Sequence, residues 1–135
     1  MDRKCLFWVL SQREFSLGKS SLPFLPVAEL ASLLKSSGIS AVELTQAYLA
    51  RITRIKGIDL QLKGYITGTS QGVMQQARSA DQEIMMGNYL GHIYGVPVAL
   101  KDQMWTKGIP TTNGSTLLKD FIPMADAYEQ NTDWH

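Results

Sequence analysis

Residues 91–102 read GHIYGVPVALKD and contain the stretch that decides the predicted fold. Within it, residues 96–100 form a continuous apolar run, which is typical of a strand covered on both faces. Pro97 counts mildly against a central position in a sheet, because proline cannot donate to the backbone ladder. The run ends at Lys101 and Asp102, so a charged pair is predicted at the end of a buried strand.

Three amphipathic helices are predicted upstream of this run. Apolar side chains at helical spacing place them at about residues 27–38, from the capping box that begins at Ser40 to Gly57, and from Val73 to about Gly87. Residues 65–67 are β-branched or aromatic and predict a short strand between the second and third helices. Helices that precede a buried strand indicate an α/β architecture.

Residues 106–116 follow the charged pair and are predicted to form a loop, because they hold two glycines, a proline and several hydroxyl side chains. Loops at the ends of strands are where α/β folds place their chemistry. Lys101 therefore has two interpretations. On spacing alone, the favoured one is a lysine whose stem packs while its ammonium reaches water.

The functional interpretation of Lys101 is a general base. It requires partial burial, because burial disfavours the ammonium and lowers the lysine pKa from about 10.4. A neutral lysine can take a proton from a hydroxyl nucleophile. Asp102 opposes this change if its carboxylate is ionised and close.

Composition gives no direct signal for several classes of function. Hydrophobic residues make up 44% of the 135 and charged residues 19%, as in a globular domain. The 13 basic residues nearly balance the 12 acidic ones, and no basic cluster predicts nucleic-acid binding. The single cysteine, Cys5, cannot form an internal disulfide, which favours a reducing, cytoplasmic location, with organelle targeting left open. The apolar run at residues 5–10 is too short to span a membrane.

Short motifs of other enzyme classes fail on inspection. Gly18-Lys19-Ser20 resembles the end of a phosphate-binding loop, but Arg13 stands where the first glycine is required. Ser16 and Lys19 match the bare Ser-x-x-Lys pattern, without its partner motifs. No ligand spacing predicts a metal site, and no cofactor is expected.

An ordered set of short motifs resembles the amidase signature family. In that family a typical segment reads gly-pro-leu-his-gly-ile-pro-val-leu-leu-lys-asp-asn, followed by thr-lys-gly and then thr-thr-x-gly-ser. Residues 91–103 resemble the first piece, residues 106–108 the second and residues 111–115 the third. Residues 40–54 and the positions of Ala77, Ala80 and Asp81 resemble the helices that precede the lysine strand. Gln103 departs from the usual asparagine.

The resemblance implies the N-terminal portion of the amidase signature fold, a mixed central sheet flanked by helices, present here as an incomplete domain. It also implies a Ser–cis-Ser–Lys triad in which Lys101 is the catalytic lysine. Nothing in the sequence resembles the family's gly-gly-ser-ser-gly-gly motif, so both triad serines are absent and the chain alone is expected to be inactive. Ser115 corresponds to the loop after the lysine and is expected to be structural.

The predicted organisation has three parts. Residues 1–25 are predicted to be a loose leader, residues 26–127 the N-terminal part of an amidase domain, and residues 128–135 a divergent tail. The tail lacks the apolar helix that the family has at this point, which suggests a truncated, frameshifted or alternatively spliced product.

Three functions remain open on the sequence. The first is an amidase-type hydrolase of small-molecule amides, represented by the portion that carries only the lysine. The second is a non-catalytic binding or regulatory fragment, whose unpaired sheet edge would promote self-association. The third is a self-contained small domain whose match is convergent. No membrane partner is predicted, and the sequence does not identify the amide substrate.

Overall fold

A computed structural model of the chain describes residues 21–58 and 64–127. Within these residues the chain forms three α-helices: α1 at Val27–Lys35, α2 at Ala41–Ile58 and α3 at Ser70–Met85. Two short 3-10 turns lie at Leu22–Phe24 and Thr116–Leu118. The three helices predicted from the apolar periodicity are confirmed, with ends that differ by about three residues.

The start of α2 is held by two sets of hydrogen bonds. The predicted capping box is present, since the Ser40 hydroxyl accepts from the Glu43 amide at 3.0 Å and Glu43 Oε2 accepts from the Ser40 amide at 3.3 Å. Asp81, on α3, accepts from the amides of Ala41 at 2.6 Å and Val42 at 3.1 Å. A carboxylate at a helix N-terminus is favourable, because it satisfies unpaired amides and complements the helix dipole. Asp81 therefore fastens α3 to the first turn of α2.

The core lies where α1, α2 and α3 meet, and it is small. Three leucines have almost no solvent exposure: Leu30, Leu34 and Leu44. Around them the buried cluster also includes Leu22, Ala41, Ala77 and Ala80. Leu22, which lies within the predicted leader, is only 5% exposed and belongs to this cluster. Residues 1–20 and 128–135, the rest of the predicted leader and the tail, lie outside the described residues.

The two predicted strands are not formed. Residues 65–67 and 96–100 have no strand conformation, and the described part of the chain contains no β-sheet. The predicted mixed central sheet is therefore not confirmed, and the described fold is helical. The physical reason is the lack of a partner, because no backbone hydrogen bond joins residues 97–100 to another described residue. Val98 and Leu100 are 66% and 48% exposed, so the apolar run is not covered on both faces.

Gly95 brings the chain back onto the helices just before this run. Its φ of +84° lies in the left-handed region that glycine adopts without strain. A Cβ atom at this position would lie 3.2 Å from Ala41 Cβ and 3.5 Å from Leu34 Cδ1. The missing side chain thus lets the backbone pass against α1 and α2, and it sets the direction in which residues 96–101 leave the core.

Among the described residues, no helix combines the length and the apolar character that a membrane crossing requires.

Candidate active site

Lys101 directly follows the apolar residues 96–100, and the chain turns just after it. Its carbonyl oxygen accepts from the Met104 amide at 2.9 Å, which closes the turn. The side chain is exposed, and within the described residues no carboxylate lies within ion-pair distance of Lys101 Nζ. The burial that a neutral lysine requires is therefore not provided by the described residues.

Asp102 turns away from Lys101 and clamps the loop that follows. Its carboxylate accepts from the Thr112 hydroxyl at 2.5 Å, from the Thr112 amide at 3.2 Å and from the Gly114 amide at 3.1 Å. The Asp102 carbonyl also accepts from the Asn113 amide at 3.1 Å. Residue 102 is thus bonded to three consecutive residues, 112–114, through both its side chain and its backbone.

These bonds change the acidity of Asp102. The Thr112 hydroxyl lowers the pKa of the Asp102 carboxyl from its ordinary value of 3.8, and the amides of Thr112 and Gly114 lower it further. Donors to a carboxylate favour its charged form. At neutral pH the clamp is therefore an ionised carboxylate with several donors, which is the stronger form of such a hydrogen-bond set.

The sign of this shift predicts how the loop responds to acid. Because the folded-state pKa lies below the ordinary value of 3.8, the clamp contributes fully above that value and is lost as pH falls through the folded pKa. We expect hydrogen-exchange protection of the Thr112 amide, which donates to both Asp102 carboxylate oxygens, to be constant from about pH 7 to 5 and to fall below about pH 4. The Thr111 amide, which donates to the Phe121 carbonyl at 3.0 Å, serves as the control because its acceptor does not titrate. Equal loss of protection at the Thr111 and Thr112 amides would contradict this assignment.

The rest of the predicted loop is ordered by contacts with residues 121–127. Gly108 N donates to the Pro123 carbonyl at 3.0 Å, and Ala127 N donates to the Trp105 carbonyl at 2.8 Å. Asp126 Oδ1 accepts from the Lys107 amide at 2.7 Å. The second motif piece, residues 106–108, is therefore tied to residues 123–127 by hydrogen bonds.

The other residues considered as functional candidates have no described contact with the Lys101 side chain. Ser115 starts the 3-10 turn at Thr116–Leu118, and its hydroxyl accepts from the Leu117 amide at 3.2 Å. His92 is exposed in a turn at residues 92–95. Gly18, Lys19 and Ser16 fall outside the described residues.

A groove runs between α2, α3 and residues 94–100. Its lining is mainly apolar and includes Val73, Ala77, Val96, Pro97 and Leu100. Lys101 does not line this groove. The lysine and the groove therefore share a segment of chain without forming a single enclosed pocket among the described residues.

Sequence reasoning missed the roles of three aspartates: Asp81, Asp102 and Asp126. Each accepts backbone N–H groups from a segment distant in sequence, so its partner depends on the fold. For Asp102 a partial signal exists. Ten residues after Asp102 the sequence reads Thr-Asn-Gly, a turn sequence. The threonine hydroxyl and the backbone amides of such a turn are donors that a carboxylate can accept from.

A protein-family model described as Amidase matches residues 43–129. The chain is 41% identical over 103 residues to a glutamyl-tRNA(Gln) amidotransferase subunit from Streptomyces coelicolor, a match that covers 76% of this chain and 20% of that protein. It is 43% identical over 102 residues to the corresponding amidotransferase subunit from a Geobacter species, with 76% and 20% covered. It is 35% identical over 111 residues to the AmiD protein of Mycobacterium tuberculosis, with 82% and 23% covered.

The chain spans about a fifth of the length of the curated relatives it matches. No solved structure matches the chain.

Proposed function

We propose that this chain, which belongs to the amidase family, supplies the lysine base of an enzyme that hydrolyses the carbon–nitrogen bond of amides. One observation carries the proposal. The family match spans residues 43–129 and so includes Lys101, the residue that the sequence resemblance pairs with the family's lysine and that precedes an ordered loop. The Ser–cis-Ser–Lys mechanism and the role of Lys101 are parts of this proposal.

The proposed chemistry begins with a neutral Lys101 amine. It takes a proton from a bridging serine, which in turn takes the proton of a nucleophilic serine. That serine oxygen bonds to the amide carbonyl carbon, the carbon–nitrogen bond breaks, and the amine leaves with the relayed proton. Water then attacks the resulting ester, releases the carboxylic acid and restores the serine. No residue of this sequence matches either serine.

The exposure of Lys101 defines what the rest of an amidase domain must supply. The described residues leave the Lys101 side chain exposed to water, whereas a neutral amine requires burial. Since the chain spans about a fifth of its relatives, we place the burial of Lys101 in the part of the domain that the relatives have in addition. The same part would carry both serines and the oxyanion-binding amides.

A second candidate function is a non-catalytic binding or regulatory role. Residues 97–100 favour it, since they make no backbone hydrogen bond with another described residue and Val98 and Leu100 are exposed. Such a segment can pair with another strand, including one from a second copy of the chain. The name of the Streptomyces relative describes it as one subunit of an amidotransferase, and assembly with other chains is accordingly part of this proposal.

A serine-reactive fluorophosphonate probe tests the proposed function. We expect no labelling of the 135-residue chain, because a base without a nucleophile forms no covalent adduct. The comparison is a chimera in which residues 26–127 replace the matched segment of the Streptomyces coelicolor relative. We expect the chimera to be labelled and to release ammonia from small primary amides. Labelling of the 135-residue chain, or a folded chimera without hydrolysis, would contradict the proposal.

A further inference from the structure

We propose that Asp102 is a positioning residue for Lys101, which it holds in place by clamping the loop at residues 112–114. The proposal rests on the proposed function, because it takes Lys101 to be the base. It assigns Asp102 no contact with substrate. Asp102 instead fixes the point from which the lysine side chain extends.

Residue 102 is held to the loop by several hydrogen bonds. The carboxylate accepts from the Thr112 hydroxyl, the Thr112 amide and the Gly114 amide, and the carbonyl accepts from the Asn113 amide. Lys101 is one peptide unit away, so only two backbone dihedrals separate its Cα from this fixed residue. The turn that Met104 N closes on the Lys101 carbonyl restricts those dihedrals further.

The loop that Asp102 contacts is itself held by burial and by hydrogen bonds. Thr111 and Thr112 are buried, at 5% and 9% exposure, although they lie in a loop. The Thr112 carbonyl accepts from the Ser115 amide at 2.9 Å, and Thr111 N donates to the Phe121 carbonyl at 3.0 Å. The clamp therefore joins Lys101 to a segment that is itself tied to the next part of the chain. Functional side chains depend on such supporting hydrogen bonds for their geometry.

The Asp102 carboxylate binds the loop and forms no ion pair with Lys101. An ionised carboxylate next to a lysine favours the ammonium and opposes a base. Here the Asp102 oxygens are committed to Thr112 and Gly114, and they form no ion pair with Lys101 Nζ. The clamp thus keeps the nearest negative charge in sequence away from the lysine nitrogen while using it to fix the backbone.

Kinetics of the chimera defined above test the proposal. We expect Asp102→Asn and Thr112→Val to lower kcat by about 10- to 100-fold with KM changed by less than about twofold, because misplacement of a reacting group by about an ångström costs a factor of this size. Thr112→Ser keeps the hydroxyl donor and should restore kcat. Asp126→Asn is the matched control. It also replaces a carboxylate that accepts from a backbone amide of this loop, but that amide belongs to Lys107 and not to residues 112–114.

The outcomes separate the two proposals. Activity that survives Lys101→Met overturns the proposed function, whereas loss in Lys101→Met with unchanged kcat in Asp102→Asn and Thr112→Val overturns only the positioning role. An equal fall in Asp126→Asn also overturns it, since the effect would then reflect loop stability in general. Amide relaxation on the full 135-residue chain gives a readout that needs no activity. The Lys101 amide should become more mobile in Thr112→Val and not in Asp126→Asn, and unchanged mobility in Thr112→Val would overturn the proposal.

Discussion

Replacement of Lys101 by methionine in the chimera is expected to lower kcat for amide hydrolysis by at least about a thousandfold. Methionine has a similar length and no basic nitrogen, so the bridging serine would lose its proton acceptor. General base catalysis alone contributes about 10² to 10⁴ in rate, and residues that act as a unit lose more when one is removed. KM should change little, because the lysine is assigned no contact with the bound substrate. Ammonia release under saturating amide measures the effect.

Lys107→Met is the control for this prediction. Lys107 lies in the same loop region, its side chain is exposed, and its backbone amide, which the substitution retains, donates to Asp126. Its replacement removes one positive charge six residues from Lys101 and should leave kcat within about twofold. A Lys101→Met chimera as active as the Lys107→Met chimera would show that the lysine is not the base.

Truncation of Leu44 to alanine is expected to destabilise the chain by about 2–5 kcal/mol, the range for a buried leucine that leaves a cavity. Leu44 has 0% exposure and belongs to the cluster in which α1, α2 and α3 meet. The described core has only three large side chains that are fully buried, so few neighbours can move to fill the space. A loss of this size is a large share of the ~5–15 kcal/mol that stabilises an ordinary domain. Urea unfolding of the 135-residue chain, followed by helix circular dichroism, measures it.

Leu117→Ala makes the same chemical change on the surface. Leu117 is 93% exposed in the 3-10 turn, so its truncation should change stability by less than about 0.5 kcal/mol. Equal unfolding midpoints for Leu44→Ala and Leu117→Ala would contradict the assignment of the core to the helix junction.

The helices could be predicted because their determinants are local. Ser40 and Glu43 cap α2 within a single turn, and the spacing of Leu30 and Leu34 reports the buried face of α1 directly. The same holds for Gly87, which follows α3 with a φ of +86°. The family could also be predicted from the short motifs, since the family model matches the region that the resemblance indicated.

The strands could not be predicted in the same way, because a strand depends on a partner. The apolar residues 96–100 have the composition of a buried strand, but strand formation needs backbone groups from a neighbouring segment. Among the described residues none pairs with residues 97–100, and Val98 and Leu100 stay exposed. The clamp by Asp102 was missed for a related reason, since its partners Thr112 and Gly114 are set by the path of the loop.

The role of Lys101 as the base is tested most directly by removing its amine and restoring it chemically. A Lys101→Cys chimera is treated with 2-bromoethylamine, which converts the cysteine into a lysine analogue with the amine at nearly the same distance. Residues 26–127 contain no other cysteine, and Lys107→Cys with the same treatment controls for modification elsewhere. With full conversion verified by mass spectrometry, we expect loss of amide hydrolysis in Lys101→Cys and its recovery after aminoethylation. Hydrolysis that persists in Lys101→Cys, or that fails to return once the amine is in place, would contradict it.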